Sequence, residues 1–155
     1  MNFKNSILVL AGEPNSIFLE IFFKSIRKTK NNNPLILIAS HKLVKLQMKK
    51  LNFVRNIRIL DQKNLKSYQL DNKSINIKDV KYTTNDAFEK ISSKSNIYIK
   101  KCFDTAFKIL KKNKIKKFIN GPINKKTFLN KKFLGITEYT SNEFNLKKTA
   151  MLIYN

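Results

Sequence analysis

Short apolar runs alternate with segments of helical periodicity along this chain, and this alternation limits the available folds more than any other feature of the sequence. Apolar runs of strand length occupy residues 6–10, 34–39, 57–60 and 115–119. Apolar side chains recur at intervals of three and four over residues 17–26, 43–51 and 99–110, the pattern of helices with one buried face. Regular alternation of strand and helix predicts an α/β fold with a mainly parallel sheet and flanking helices.

The alternation is less regular in two places. Residues 61–94 are polar and rich in Asn and Lys, and only residues 75–82 have strand character. A last apolar run at residues 149–154 predicts a strand next to the final residue, Asn155. Because a bare apolar strand at the edge of an open sheet invites aggregation, we expect the chain to be a fragment of a longer protein.

Glycine is scarce, since the 155 residues include only Gly12, Gly121 and Gly135. Each is predicted to follow a strand, where the backbone takes a positive φ or lies close to a ligand. In a parallel sheet the ligand loops lie at the carboxyl ends of the strands. We therefore expect the functional loops at these three glycines.

The segment Gly121-Pro122-Ile123-Asn124-Lys125 has two interpretations. Backbone amides at the start of a short helix, together with Lys125, would bind a phosphate or carboxylate because a helix N-terminus carries partial positive charge. Alternatively, Gly121-Pro122 is a plain tight turn and Lys125 is a solvated surface charge.

The net charge of +22 would suit a protein that binds nucleic acid. The only arginines, however, are Arg27, Arg55 and Arg58, although the guanidinium is the better group for phosphate and base contacts. Lysines are spread along the whole chain, and Lys, Asn and Ile, which all have A/T-rich codons, number 29, 20 and 19. Nucleotide bias therefore explains the charge, and we expect no nucleic-acid partner.

The apolar runs and the rare residues exclude several classes of protein. No apolar run reaches the roughly 18 residues of a membrane span, so we expect no membrane partner and a cytoplasmic location. The single cysteine, Cys102, excludes an internal disulfide and is expected to be a buried helix residue. The single histidine, His41, is expected to be a solvated residue in the first turn of a helix capped by Ser40.

Three segments resemble successive motifs of the NAD-dependent 4-hydroxythreonine-4-phosphate dehydrogenases of pyridoxal phosphate biosynthesis. They are Gly12-Glu13-Pro14 followed by Ile17 and Glu20, then Gly121-Pro122-Ile123-Asn124-Lys125, then Phe133-Leu134-Gly135-Ile136-Thr137-Glu138-Tyr139. The segments occur in the family's order and at similar spacing, so the resemblance covers almost the whole chain.

The resemblance implies a two-lobed enzyme of the isocitrate/isopropylmalate dehydrogenase type that works as a homodimer. Residues 1–130 would be the first lobe, incomplete, and residues 131–155 the start of the second. The implied reaction oxidises a phosphorylated small molecule, 4-phosphooxy-L-threonine, with NAD to 2-amino-3-oxo-4-phosphooxybutanoate, which loses CO₂ to give 3-amino-2-oxopropyl phosphate. The family also needs a divalent metal cation held by three histidines beyond residue 155, so this piece alone is expected to be inactive.

Two departures from the family pattern bear on the substrate. The third motif usually has His-Thr, and both side chains contact the substrate, whereas here Ile136 replaces the histidine and Thr137 is the one contact carried over. A plain helix cap is the alternative role for Thr137. The first loop replaces the family's small residues, glycine and proline with Asn15, Ser16, Phe18 and Leu19.

Two alternative functions remain open. Because Ile136 alters the motif that holds the substrate, the enzyme could be a paralogue that acts on phospho-threonate or phospho-erythronate. The altered first loop, the replaced histidine and the missing second half would also fit a non-catalytic remnant or an interaction domain.

Overall fold

The computed structural model describes residues 3–28, 33–61, 63–113, 115–129 and 132–150. The chain forms two compact units, Met1–Ile123 and Asn124–Asn155. The expected division after residue 130 concerns the lobes of a whole enzyme and stays a prediction. In the described part of the chain, no helix is both long enough and apolar enough to cross a membrane.

The first unit is built on a five-stranded parallel sheet, which confirms the predicted fold class. The strands are β1 (Ile7–Leu10), β2 (Leu35–Ala39), β3 (Ile57–Ile59), β4 (Ile75–Asp79) and β5 (Lys117–Asn120). Their order across the sheet is β3-β4-β2-β1-β5, and every neighbouring pair is parallel. The loops that follow the strands therefore all leave from the same end of the sheet.

Helices cover both faces of this sheet. They are α1 (Phe18–Lys28), α2 (His41–Lys50) and α3 (Ser93–Asn113). On one face, α1 and α2 pack with the strands through Val9, Leu19, Phe23, Leu37, Val44 and Ile77. On the other, the ring of Phe103 in α3 lies 6.1 Å from that of Phe118, which is the neighbour of Leu8 in the sheet. Because Leu8 and Val9 point to opposite faces, α3 covers the side away from α1 and α2.

The predicted start of α2 is confirmed. The Oγ atom of Ser40 accepts a hydrogen bond of 3.3 Å from the amide of Leu43, and this caps the helix. His41 is the first residue of α2, as expected, but it is half-buried rather than solvated. Its amide donates to Asp79 Oδ1 at 2.8 Å at the end of β4. Cys102 is buried in α3, and burial raises the pKa of its thiol, so it stays neutral.

An asparagine inside the sheet accounts for the weak pattern at β4. Asn76 is only 1% exposed, in the middle of a buried strand. Its Nδ2 atom donates to the carbonyl oxygens of Leu35 at 3.1 Å and Asp71 at 2.6 Å. These two hydrogen bonds satisfy the buried amide group, so the sheet tolerates a residue that interrupts the apolar run.

Two expectations about elements differ from the structure. Gly135 was expected to follow a strand and instead precedes α5 (Ile136–Glu143), in the second unit. Phe133 and Leu134, the apolar residues before Gly135, are not in a strand. The ring of Phe133 instead packs on that of Tyr139 in α5, with 5.4 Å between the ring centroids. In the expected last strand, Thr149 and Ala150 are not in a strand, and residues 151–155 lie outside the described residues.

Candidate functional site

The loop after β1 touches the loop after β5 through a backbone contact that admits no side chain. Gly12 has a φ of 73°, in the left-handed region, and a Cβ there would overlap the carbonyl oxygen of Pro122. The amide of Glu13 donates to that same oxygen at 2.9 Å. Glycine is therefore required at position 12 both by the backbone conformation and by the neighbouring loop.

The backbone of Gly121, in the loop after β5, lies equally close to the loop after β1. A Cβ on Gly121 would lie 2.5 Å from the carbonyl oxygen of Ala11 and 2.9 Å from that of Leu10. The amide of Gly121 donates to Leu10 at 2.7 Å, which extends the pairing of β1 with β5 beyond the strands. Contact between the two loops thus accounts for both glycines, and the anion-binding role expected of these loops stays a prediction.

Gln47 holds the first loop from the side of α2. Its Nε2 atom donates to the carbonyl oxygens of Pro14 at 2.8 Å and Ala87 at 2.7 Å, and the side chain is buried. Two carbonyl acceptors at this distance fix the orientation of the amide, since its oxygen would be repelled there. Glu13 and Pro14 are buried as well. Gln47 thereby ties the Gly12 loop to the segment after β4.

Sequence analysis did not single out Gln47, although the pattern contained a signal. Leu43, Val44, Gln47 and Met48 are the buried positions of α2, at the spacing of one helix face. A glutamine on an otherwise apolar face must find hydrogen-bond partners there, because an unsatisfied buried amide is costly. That rule predicts a structural contact for Gln47 but does not identify its partners.

Two tyrosine side chains, Tyr82 and Tyr98, pack together near the carboxyl ends of β2 and β4. The hydroxyl of Tyr98 accepts a hydrogen bond of 2.9 Å from the amide of Ser40. Burial raises the pKa of the Tyr98 hydroxyl, so it stays protonated. The ring of Tyr82 packs against that of Tyr98 at a tilt of 34°, with 4.6 Å between centroids. Both tyrosines are almost completely buried, so the pair belongs to the core.

Two cavities of about 280 Å³ each lie at this end of the sheet and share Lys81, Tyr82 and Thr83. The first is completed by Ser40, His41, Lys42 and Asp79. The second is completed by Ser93, Lys94, Ile97, Tyr98 and Lys101. None of the site residues expected from the sequence lines either cavity, since the Gly12 and Gly121 loops leave β1 and β5.

The remaining expected site residues lie in the second unit. Asn124 caps α4 (Lys125–Phe128), because its Oδ1 atom accepts from the amide of Thr127 at 3.2 Å. Lys125, the first residue of that helix, is exposed. Ile136 and Thr137 are the first two residues of α5, and both are half-buried.

The structure of the second unit excludes one of the two roles considered for Thr137. The cap of α5 is Gly135, with no side-chain hydrogen bond, so the alternative that Thr137 caps this helix is wrong. The reason is that α5 begins one residue before Thr137, which places the threonine inside the first turn. Its expected substrate contact stays a prediction.

The described residues contain no cluster of three or more His, Cys, Asp or Glu side chains that could hold a metal ion. The resemblance places the metal ligands beyond residue 155, so the divalent metal site stays a prediction.

The contact at Gly12 predicts a specific intolerance. We expect Gly12→Ala to lower the free energy of unfolding by about 2 kcal/mol or more, because the new Cβ meets backbone atoms at a positive φ. Gly135→Ala is the matched control, since its Cβ would meet only the flexible Glu138 carboxylate, at 3.0 Å. We expect the control to lose at most about 1 kcal/mol. Equal losses in urea unfolding would contradict the role given to the loop contact.

The contacts of Gln47 predict a second effect. We expect Gln47→Met to lower the free energy of unfolding by about 1–3 kcal/mol, because the carbonyl oxygens of Pro14 and Ala87 lose their donor. Lys49→Met, at an exposed position of the same helix, should change it by less than about 0.5 kcal/mol. Amide exchange of Glu13 and Ser16 should accelerate in Gln47→Met alone. Unchanged exchange there would show that Gln47 does not hold the loop.

The chain is similar in fold to several solved structures. One is a protein from Salmonella typhimurium that is provisionally described as a 4-hydroxythreonine-4-phosphate dehydrogenase. The two superpose with a TM-score of 0.81 at 18% sequence identity, and the match covers 97% of this chain and 48% of that one. The 4-hydroxythreonine-4-phosphate dehydrogenase from Klebsiella pneumoniae gives 0.79 at 18% identity, over 97% and 47%. The enzyme of that name from Burkholderia phymatum gives 0.78 at 17% identity, over 93% and 44%.

These likenesses show the fold, and the chain spans just under half the length of each of these proteins. Among curated protein sequences, none matches this chain. The family model described as "Pyridoxal phosphate biosynthetic protein PdxA" matches residues 30–155. Because that match extends over well more than half of the residues, the chain belongs to the PdxA family of pyridoxal phosphate biosynthetic proteins.

Proposed function

We propose that the protein containing this chain is a 4-hydroxythreonine-4-phosphate dehydrogenase that depends on NAD and a divalent metal cation. It would oxidise the secondary hydroxyl of 4-phosphooxy-L-threonine to give 2-amino-3-oxo-4-phosphooxybutanoate, with transfer of a hydride to NAD. Loss of CO₂ from this β-keto acid would then give 3-amino-2-oxopropyl phosphate. The observation that supports the proposal most strongly is the family match over residues 30–155.

The proposal extends to features of the whole protein. The metal ligands would be three histidines beyond residue 155, and the active form would be a cytoplasmic homodimer. Within this chain, the hydroxyl of Thr137 would contact the substrate from the first turn of α5, where it is half-buried. The loop at Gly121 and Pro122, with Asn124 and Lys125, would lie near the substrate anion.

The dehydrogenase proposal is tested with the complete protein. We expect it to form NADH from NAD and 4-phosphooxy-L-threonine when a divalent metal is present. A chelator should abolish NADH formation, and metal added in excess should restore it. Activity that persists in chelator would contradict the metal requirement. A folded protein that forms no NADH with any substrate would favour the non-catalytic remnant.

Ile136 supports a second candidate, a paralogous dehydrogenase of phospho-threonate or phospho-erythronate. An isoleucine side chain neither donates a hydrogen bond nor carries charge, so it cannot replace a histidine that contacts polar groups of the substrate. Comparison of kcat/KM for the three phosphorylated hydroxy acids distinguishes the candidates. A higher value for either substrate that lacks the amino group would favour the paralogue.

Thr137 provides the matching test within this chain. We expect Thr137→Ala to weaken transition-state binding by about 1–3 kcal/mol, read from kcat/KM, because a substrate oxygen loses its donor. Thr137→Ser keeps the hydroxyl and should retain most of the activity. Thr140→Ala, on the same helix, is the control for helix stability. If Thr137→Ala and Thr140→Ala have equal kinetics, Thr137 does not contact the substrate.

A further inference from the structure

A basic cavity lies between the segment after β4 and the start of α3, away from the Gly12 and Gly121 loops. Three lysines line it, Lys81, Lys94 and Lys101, together with the hydroxyl-bearing residues Thr83 and Ser93. We propose that this cavity binds a phosphate group, either as free phosphate or as part of a phosphorylated small molecule. The proposal goes beyond the dehydrogenase function and does not depend on it.

The positive charge of the cavity is only partly compensated. Lys94 pairs with Glu89 at 3.0 Å, and its Nζ atom lies 5.0 Å from the centre of the Tyr82 ring. These two contacts hold the Lys94 ammonium in place. Neither Lys81 nor Lys101 forms an ion pair with any described residue.

No carboxylate lies among the described residues that line the basic cavity. Asp79 lines the neighbouring cavity, and its Oδ1 atom accepts a hydrogen bond from the amide of His41. The lysines of the basic cavity thus outnumber its carboxylates. An anion that enters would gain charge-assisted hydrogen bonds from ammonium groups and further donors from two hydroxyls, the combination that suits phosphate oxygens.

Position and size also fit a small anion. The cavity lies at the carboxyl end of the parallel sheet, where α/β folds of this kind bind their ligands. Its volume of about 280 Å³ is near the lower limit of roughly 300–1,000 Å³ for sites of drug-sized ligands. α3 begins at Ser93, and the partial positive charge of its N-terminus adds a weak favourable potential to that of the lysines. No acidic residue in the first turn of α3 offsets that charge.

The general richness in lysine is the competing explanation, and the chain offers a matched control. Lys45, Lys49 and Lys50 lie on α2 and line two other cavities. One of those cavities also contains the carboxylate of Asp86. Replacing three lysines in either set removes the same charge, so only a site at the basic cavity makes the two sets differ.

The test is calorimetric titration of the full chain with inorganic phosphate and, separately, with O-phospho-L-threonine, at a constant ionic strength of about 0.15 M. We expect K81Q/K94Q/K101Q to weaken binding at least about tenfold, because each ammonium contact to a phosphate oxygen is charge-assisted. The control K45Q/K49Q/K50Q should weaken it less than about twofold, because distant surface charges are screened. Urea unfolding shows whether both triple variants are folded.

A single substitution tests the same cavity in case the triple variant does not fold. Lys101→Gln removes an exposed side chain without an ion pair, and it should weaken binding about two- to tenfold. Binding of inorganic phosphate would show that the phosphate group alone is sufficient, whereas binding of O-phospho-L-threonine alone would assign a phosphorylated small molecule. Equal weakening in the two triple variants, or no binding of either probe by the native chain, would overturn the proposal.

Discussion

Burial of the central strands between two layers of helices is the constraint on which the rest of the first unit depends. Leu8, Leu37 and Ile38 are almost completely removed from water, although they point to different faces of the sheet. Such positions cannot carry polar function, because their side chains are needed in the core. Polar and charged groups are therefore displaced to the loops at the carboxyl end, where all the strands finish.

That arrangement explains why the glycines are retained in a chain that has so few. β1 and β5 are neighbours in space although more than a hundred residues separate Gly12 from Gly121 in the sequence. Two loops that leave neighbouring parallel strands must pass close to each other, and here their backbones are in contact. A glycine in such a place is evidence of close packing first, and evidence of a ligand only when a cavity lies beside it.

Sequence periodicity was sufficient to predict most elements of the fold, because helix and strand burial repeats locally. It predicted α1, α2 and the strand after Asn33, and it placed the cap at Ser40. It was weak at β4, since the buried Asn76 obtains one of its hydrogen bonds from the carbonyl group of Leu35, in a strand far away in the sequence. The partners of Gln47 and the cavity at Lys81 were not predictable for the same reason: each depends on contacts between segments far apart in sequence.

The charge of the chain is a second feature whose function the sequence alone does not predict. In a chain with 29 lysines, the number of lysines in a segment carries almost no information about function. The distribution of carboxylates is more informative, since only ten acidic residues are available to compensate. Lys24 and Lys100 are paired with acids along their own helices, at i,i+4 spacing, on exposed surfaces. Such pairs neutralise a helix face locally. A cavity in which only one of three lysines has an acidic partner keeps a positive potential, so the position of the acids decides where an anion is attracted.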